Sequence, residues 1–441
     1  MKTFLSTRLR AFQSAWLKAL LSKPLKLITL IAPLLTAGAA SAATQIQFWT
    51  MQLSPFHDDY VNGVIAEFER QNPDIRVKWV DVPWKEMEKK MLASVAAGTA
   101  PDVVNLNPQF SAKLAQYGAL ANPEHYLSEG EVAQYLPNIW TANRFRGETF
   151  AIPWYLSTAI TIYNRELLQA AGAEVPRDYR GLLVAARRIK SELGKYAYFP
   201  AMDGSRPLEG LVAMGGELVA GDGSRVGFDN AIGSAYFNFY RDLYQQELVP
   251  RNVLTEGHHK AVELFQSGEV ALITTGMQFL ETIRINAPDL FRKVSVAPQL
   301  KADSSAYNVA VMNLAVPKRS AHKEAAFRFA HFVTNNENQM ALARRIPLLP
   351  STAGGYADGG YRDDQAERLG SEPSLFQRAR QISAQQVLQG QVLVTPLPNY
   401  SKLRTSFVFN LQSAMVGRAP VDEALAETAQ TWQLFLGNDH D

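Results

Sequence analysis

The chain has 441 residues, is 47% hydrophobic and 20% charged, and carries a formal charge of +2 with no cysteine. This is the composition of a globular protein long enough for two or more domains. The lack of cysteine excludes a thiol nucleophile, a cysteine zinc site, disulfides and a lipid attached to an N-terminal cysteine.

The charge is uneven along the chain. Lys2, Arg8, Arg10, Lys18, Lys23 and Lys26 come with no acid in the first 42 residues, and the apolar run "LITLIAPLLTA" (27–37) leads to Ala40-Ser41-Ala42. A positive region, a short apolar run and small residues are the pattern of a secretory signal peptide, so 1–42 is expected to be cleaved after Ala42. The apolar run is about half the roughly 20 residues that a membrane span needs. Without the six basic residues, the remaining 399 residues carry −4. No basic excess then points to nucleic acid or an anionic surface. A soluble periplasmic protein is expected, large enough to form its cores without disulfides.

"QIQFW" (45–49) reads as a strand with Ile46 and Phe48 on one side. Val61, Val64, Ile65 and Phe68 follow at helical spacing, with Asp58 or Asp59 near the helix start and Pro73 after its end. "IRVKWV" (75–80) is a second strand, 83–98 a helix ending at Gly98, and "DVVNL" a third strand. Strand, helix, strand, helix, strand predicts an α/β layer with a mainly parallel sheet. Such sheets bind ligands beyond the carboxyl ends of their strands. Trp49 to Gln52, and Asn107 to Gln109, stand at such ends.

Further on, Ala159 to Tyr163 is a strand preceded by Pro153-Trp154-Tyr155. Helices are predicted over 179–193, 230–248, 259–268 and 320–335, the last with Ser320 as N-cap. Strands are predicted at 269–277, in "VSVAP" and in "NVAVMNLAVP". A Pro/Gly-rich loop covers 344–361, and a tail helix begins with Pro420 in its first turn.

No nucleophile elbow, zinc-protease, phosphate-loop or dinucleotide motif is present, so no catalytic residue, cofactor or metal ligand is assigned. His258-His259 reads as a solvated helix start. Asp203 and Glu217 are the carboxylates that a competing reading, a secreted carbohydrate-active enzyme, would need. A binding protein held by its N-terminus as a sensor is a third class. Aromatics at element ends, Trp49, Trp154 and Tyr155, suit a sugar. Its C–H face packs on a ring, and its hydroxyls need paired donors and acceptors once buried.

The stretches "QIQFWT", "VIAEFERQNPDIRVKW", "MLASVAAGTAPDVV", "GETFAIPWYLSTAITIYNRELLQAAGAEVP", "AVELFQSGEVALITTG" and "LAVPKRSAHKEAAFRFAHFVTNNENQ" occur together and in order over most of 45–355. In these the chain resembles the extracellular solute-binding proteins of ABC importers, in the carbohydrate-binding, maltose-binding-like cluster. The resemblance implies a two-lobed, hinged periplasmic-binding-protein fold of type II. Each α/β lobe would be a mainly parallel sheet flanked by helices. It implies a first lobe from 43–152 plus 278–318, a second from 153–277 plus 319–441, and crossings near 151–158, 274–279 and 316–322. A monomer is expected, delivering a small carbohydrate to the transmembrane subunits of a permease. Glycerol-phosphate esters or another polar osmolyte are the alternative ligands.

The ligand residues that the resemblance implies are Trp49, Gln52, Asn107, Gln109, Trp154, Tyr155, Ser157 and Asp203. The turn after "ALITTG" adds Gln278 and Phe279. The chain departs from the family's Gly-Pro-Trp there, and it has Asn313 and Arg345 where glycines are common. On this reading Trp154→Ala weakens binding without unfolding the protein.

Overall fold

A computed structural model describes residues 43–221, 223–359 and 374–437. The expected signal peptide and its cleavage point lie outside the described residues.

Strand β1 (Thr44–Met51) runs parallel to β2 (Ile75–Val82) and to β3 (Val103–Leu106). Helices Asp58–Gln71 and Trp84–Ala97 link them. The first helix buries Tyr60, Val61, Val64, Ile65 and Phe68, and the second ends at Gly98 with φ 69°. That left-handed position is open to glycine and closes the helix. A small hairpin, β4 (Arg144–Phe145) and β5 (Glu148–Thr149), leads into the long strand β6 (Ile152–Asn164).

The remaining strands are β7 (Leu272–Gly276), β8 (Val294–Pro298), β9 (Tyr307–Ala315), β10 (Leu349–Pro350) and β11 (Gly390–Gln391). The sheet order is β10-β6-β9-β3-β1-β2, with β9 antiparallel to both β3 and β6. Strand β6 changes partners along its length. Ile152 to Thr158 pairs with β9, and Ala159 to Asn164 lies between β7 and β8. One strand therefore belongs to both lobes.

The first lobe has a core on each face of its sheet. Ile46, Phe48, Trp154, Leu314, Phe327 and Phe329 fill one, and Trp49, Met51, Val104, Phe110 and Phe150 fill the other. The second lobe's core gathers Ile160, Ile162, Leu182, Tyr236, Leu272, Val296, Phe407 and Trp432.

This packing corrects the expected boundaries. Leu280, Ile283, Val294 and Val296 lie in the second lobe's core, not the first. Helix Lys323–Thr334 lies with the first, through Ala326, Phe327, Phe329, Ala330 and Val333. The second crossing is β9, whose Val309 and Val311 belong to one core and Leu314 to the other. It replaces the crossing expected at 274–279. Ser320 is not the N-cap of Lys323–Thr334, which starts after His322. The Ser320 hydroxyl instead donates to Asp102 Oδ1 at 2.6 Å and accepts from the His322 amide at 3.1 Å. Among the described residues no helix is long and apolar enough to cross a membrane.

Candidate functional site

Two adjoining chambers open where the lobes meet. The inner one, of 330 Å³, is walled by Ser157 and Thr158 of β6, Thr274 and Thr275 of β7, and Asn308 of β9, with Tyr179, Tyr198, Arg206, Glu209, Tyr240, His258, Gln278 and Phe279 around them. The outer one, of 610 Å³, brings Asn107, Gln109, Lys113 and Tyr117 of the first lobe against Asn399, Tyr400 and Arg404 of the second. Gly204 and Ser205 line both.

Local structure explains each wall. Leu272 N donates to Ala197 O at 2.9 Å, which brings Tyr198 alongside β7. Helix Arg206–Ala213 starts with Pro207 in its first turn, where a missing N–H costs nothing. It is pinned by the Tyr236 hydroxyl, which donates to Pro207 O at 2.6 Å. Gly210 permits that approach, because a Cβ there would sit 2.7 Å from the Tyr236 hydroxyl. On the first lobe, Asn107 is the N-cap of helix Pro108–Gln116 and accepts from Phe110 N at 2.8 Å. The amides that end the "VVNLN" strand thus have separate jobs. Asn105 is buried and donates to Asn313 O at 3.1 Å, whereas Asn107 caps a helix at the chamber edge.

Arg206 pairs with Asp203 at 3.2 Å, whereas Glu209 accepts from the neutral Ser205 hydroxyl. Lys113 pairs with Glu88 at 2.7 Å. Burial pushes the Tyr198, Tyr179 and Tyr240 phenols up, so they are neutral hydroxyls at physiological pH.

His258 is not solvated, contrary to the reading from sequence. Its Nε2 lies 3.0 Å from Thr275 Oγ1, and its ring meets Phe279 edge-on at 5.0 Å. Burial, with the Arg206 guanidinium second and His259 also opposing charge, holds the imidazole down at about 4 against the favourable pull of Asp203. An unfolded chain takes up this proton near 6.5. Stability is therefore full above pH 6.5 and falls as pH drops from 6.5 to about 4. His258→Gln should flatten that part of the melting-temperature curve in differential scanning fluorimetry. An unchanged slope would clear His258 of the effect.

Of the expected ligand residues, Asn107, Gln109, Ser157, Gln278 and Phe279 line the chambers. Asp203 stands behind the wall as the partner of Arg206. The others lie elsewhere. Trp154 is 1% exposed in the first lobe's core, 6.1 Å from Phe48 and 5.0 Å from Tyr155 between ring centres. Tyr155 is buried in the same cluster, and Trp49 in the opposite one with Lys90 Nζ 4.4 Å from its ring centre. Asn313 is fully buried and accepts from Asn143 Nδ2 at 2.7 Å. Arg345 lays its guanidinium over Tyr60 at 5.7 Å, and Gln52 is an exposed turn residue with φ 54°.

Tyr198, Arg206, Glu209, Tyr240, Tyr400 and Arg404 were not anticipated. The only local signal among them is Ser205-Arg206-Pro207, a helix start in an otherwise irregular stretch.

The fold recurs in known proteins. A crystal structure of a candidate oligosaccharide periplasmic-binding protein from Synechococcus sp. MITs9220 superposes with a TM-score of 0.82 at 35% identity, covering 90% of this chain and all of that one. The galactooligosaccharide-binding protein of Bacillus subtilis is 22% identical over 84% of this chain and 85% of its own length. The mannitol-binding protein of Pseudomonas aeruginosa is 22% identical over 82% of this chain and 87% of its own. Residues 57–340 match the bacterial extracellular solute-binding protein family, and the chain belongs to that family.

Proposed function

We propose that the protein captures a small carbohydrate between its lobes and delivers it to the membrane subunits of an ABC-type importer, without altering it. It works in the periplasm after loss of residues 1–42. The observation that carries this reading is the inner chamber. Tyrosines, threonines, an asparagine and two glutamines surround it, its Arg206 is paired with Asp203, and its Glu209 is an acceptor held by the Ser205 hydroxyl. Such a wall suits an uncharged, hydroxyl-rich guest better than a phosphate ester, which would need a cation free to meet it. The sugar-binding relatives point the same way.

Ligand bridges both lobes and favours the form in which they are closed. Only contacts present in that form can shift the equilibrium. A change from mostly open to mostly closed takes about 5.5 kcal/mol of differential binding. Several buried hydroxyl hydrogen bonds of about 1 kcal/mol each, with one or two ring contacts, reach that range.

The test is a thermal-shift screen of the purified protein against mono-, di- and trisaccharides, polyols and glycerol phosphodiesters, followed by small-angle scattering with any hit. A saccharide that raises the melting temperature and contracts the particle is the expected result. A phosphodiester as the only hit would establish the alternative ligand class. Accumulation of a hydrolysis product would make the protein an enzyme.

A further inference from the structure

We infer, building on the carbohydrate reading above, that the preferred solute is an oligosaccharide of three or more units lying through both chambers, and that Arg404 is the positioning residue that holds the neck between them. The inner chamber's 330 Å³ is at the small end of the roughly 300–1,000 Å³ range of ligand sites. The outer chamber's 610 Å³ adjoins it through Gly204 and Ser205. A solute confined to the inner space would leave the outer wall unused.

That outer wall is furnished for sugars. Lys113 is paired with Glu88 at 2.7 Å, Lys402 lies over the Phe435 ring at 5.0 Å, and Arg404 is engaged by two backbone carbonyls. Beside them stand amides and hydroxyls, Gln109, Gln116, Asn399 and Tyr400 among them. Tyr117, 69% exposed, offers a bare ring face of the kind that packs on sugar C–H groups. An exposed aromatic beside side-chain amides is a good surface for a polyhydroxylated ring.

The neck is a loop with little structure of its own, and three separate elements hold it. Gly204 takes φ 63°, a left-handed conformation that side chains disfavour. Arg404 reaches in from helix Tyr400–Met415. Its Nη2 donates to Met202 O at 3.0 Å and its Nε donates to Gly204 O. Asp203, between those two carbonyls, turns away to Arg206 and packs on Gly257, where a Cβ would sit 3.1 Å from Asp203 Oδ2. The guanidinium presents these two donors at a fixed spacing in one plane, which a lysine ammonium on a flexible stem does not reproduce. Arg404 thereby fixes Gly204 and Ser205, the residues a chain must pass to occupy both chambers.

The experiment is titration calorimetry with the mono-, di-, tri- and tetrasaccharides of the α-1,4-glucosyl, β-1,4-glucosyl and β-1,4-galactosyl series. In a series that binds, affinity should rise tenfold or more from disaccharide to tetrasaccharide. Tyr117→Ala, a surface change, should shrink that rise to under threefold. Arg404→Gln should also shrink it, and Arg404→Lys should not restore it. A purely structural arginine would lower the melting temperature and leave the chain-length ratio as it was, which would overturn the positioning role. A monosaccharide that binds as tightly as its tetrasaccharide would overturn the two-chamber inference while leaving carbohydrate binding intact. If no saccharide binds and a phosphodiester does, both readings fall.

Discussion

Trp154→Ala is expected to lower folding stability by about 3–5 kcal/mol, the usual cost of emptying a large aromatic site in a core. The indole is 1% exposed and packs against Phe48 and Tyr155, with Phe329 next to Phe48 at 5.1 Å. Truncation removes its packing contacts and leaves a cavity that a sheet with helices on both faces cannot easily collapse. Urea denaturation followed by fluorescence measures the loss. At temperatures where the variant is still folded, its saccharide affinity should lie within threefold of the parent. This reverses the expectation from sequence, in which Trp154 stacks on the ligand and its loss spares the fold. A variant as stable as the parent would restore that first reading.

The largest effect on binding is expected from Glu209→Gln, which should weaken the best saccharide by about two- to thirtyfold. Glu209 lines the inner chamber, and its Oε1 already accepts from the Ser205 hydroxyl. That contact orients the carboxylate and leaves its other oxygen for a sugar hydroxyl. Hydrogen bonds to a charged group are worth about 1.5–3 kcal/mol, against roughly 1 for neutral ones. Glutamine keeps the shape and removes the charge, so the melting temperature of the free protein should change by no more than about 2 °C. Calorimetry with the tightest saccharide from the screen decides it. Unchanged affinity would remove Glu209 from the ligand's surroundings.

Local elements were legible in the sequence, because periodicity reports which face of a helix or strand is covered. Val61, Val64, Ile65 and Phe68 are all buried at the spacing that predicted them, and so are Val421, Leu425, Thr428 and Trp432 in the tail helix. Periodicity does not report what covers the face. Helix Phe279–Asn286 and helix Lys323–Thr334 are both ordinary amphipathic segments, and nothing in either pattern says which core it joins. Trp154 escaped for a related reason. Residues Ile152 to Leu156 are buried without alternation, since helices cover both sides of the sheet there. In such a strand no side chain announces itself as core or cleft. The chamber walls were the least legible part. Tyr198, Glu209, His258 and Arg404 come from four separate segments, and only the folded chain brings them together.

The interleaved path of the chain also governs what a shortened product could become. First-lobe packing is finished by the segment ending near Leu342, which arrives after most of the second lobe has been made. Second-lobe packing then waits for Phe407, Leu411 and Trp432. Premature termination after residue 351 would thus yield one intact half fused to another stripped of its closing helices. Splitting the gene at the middle would complete neither half. Dissecting the two halves would therefore require rearranged genes that rejoin distant pieces, rather than simple cuts.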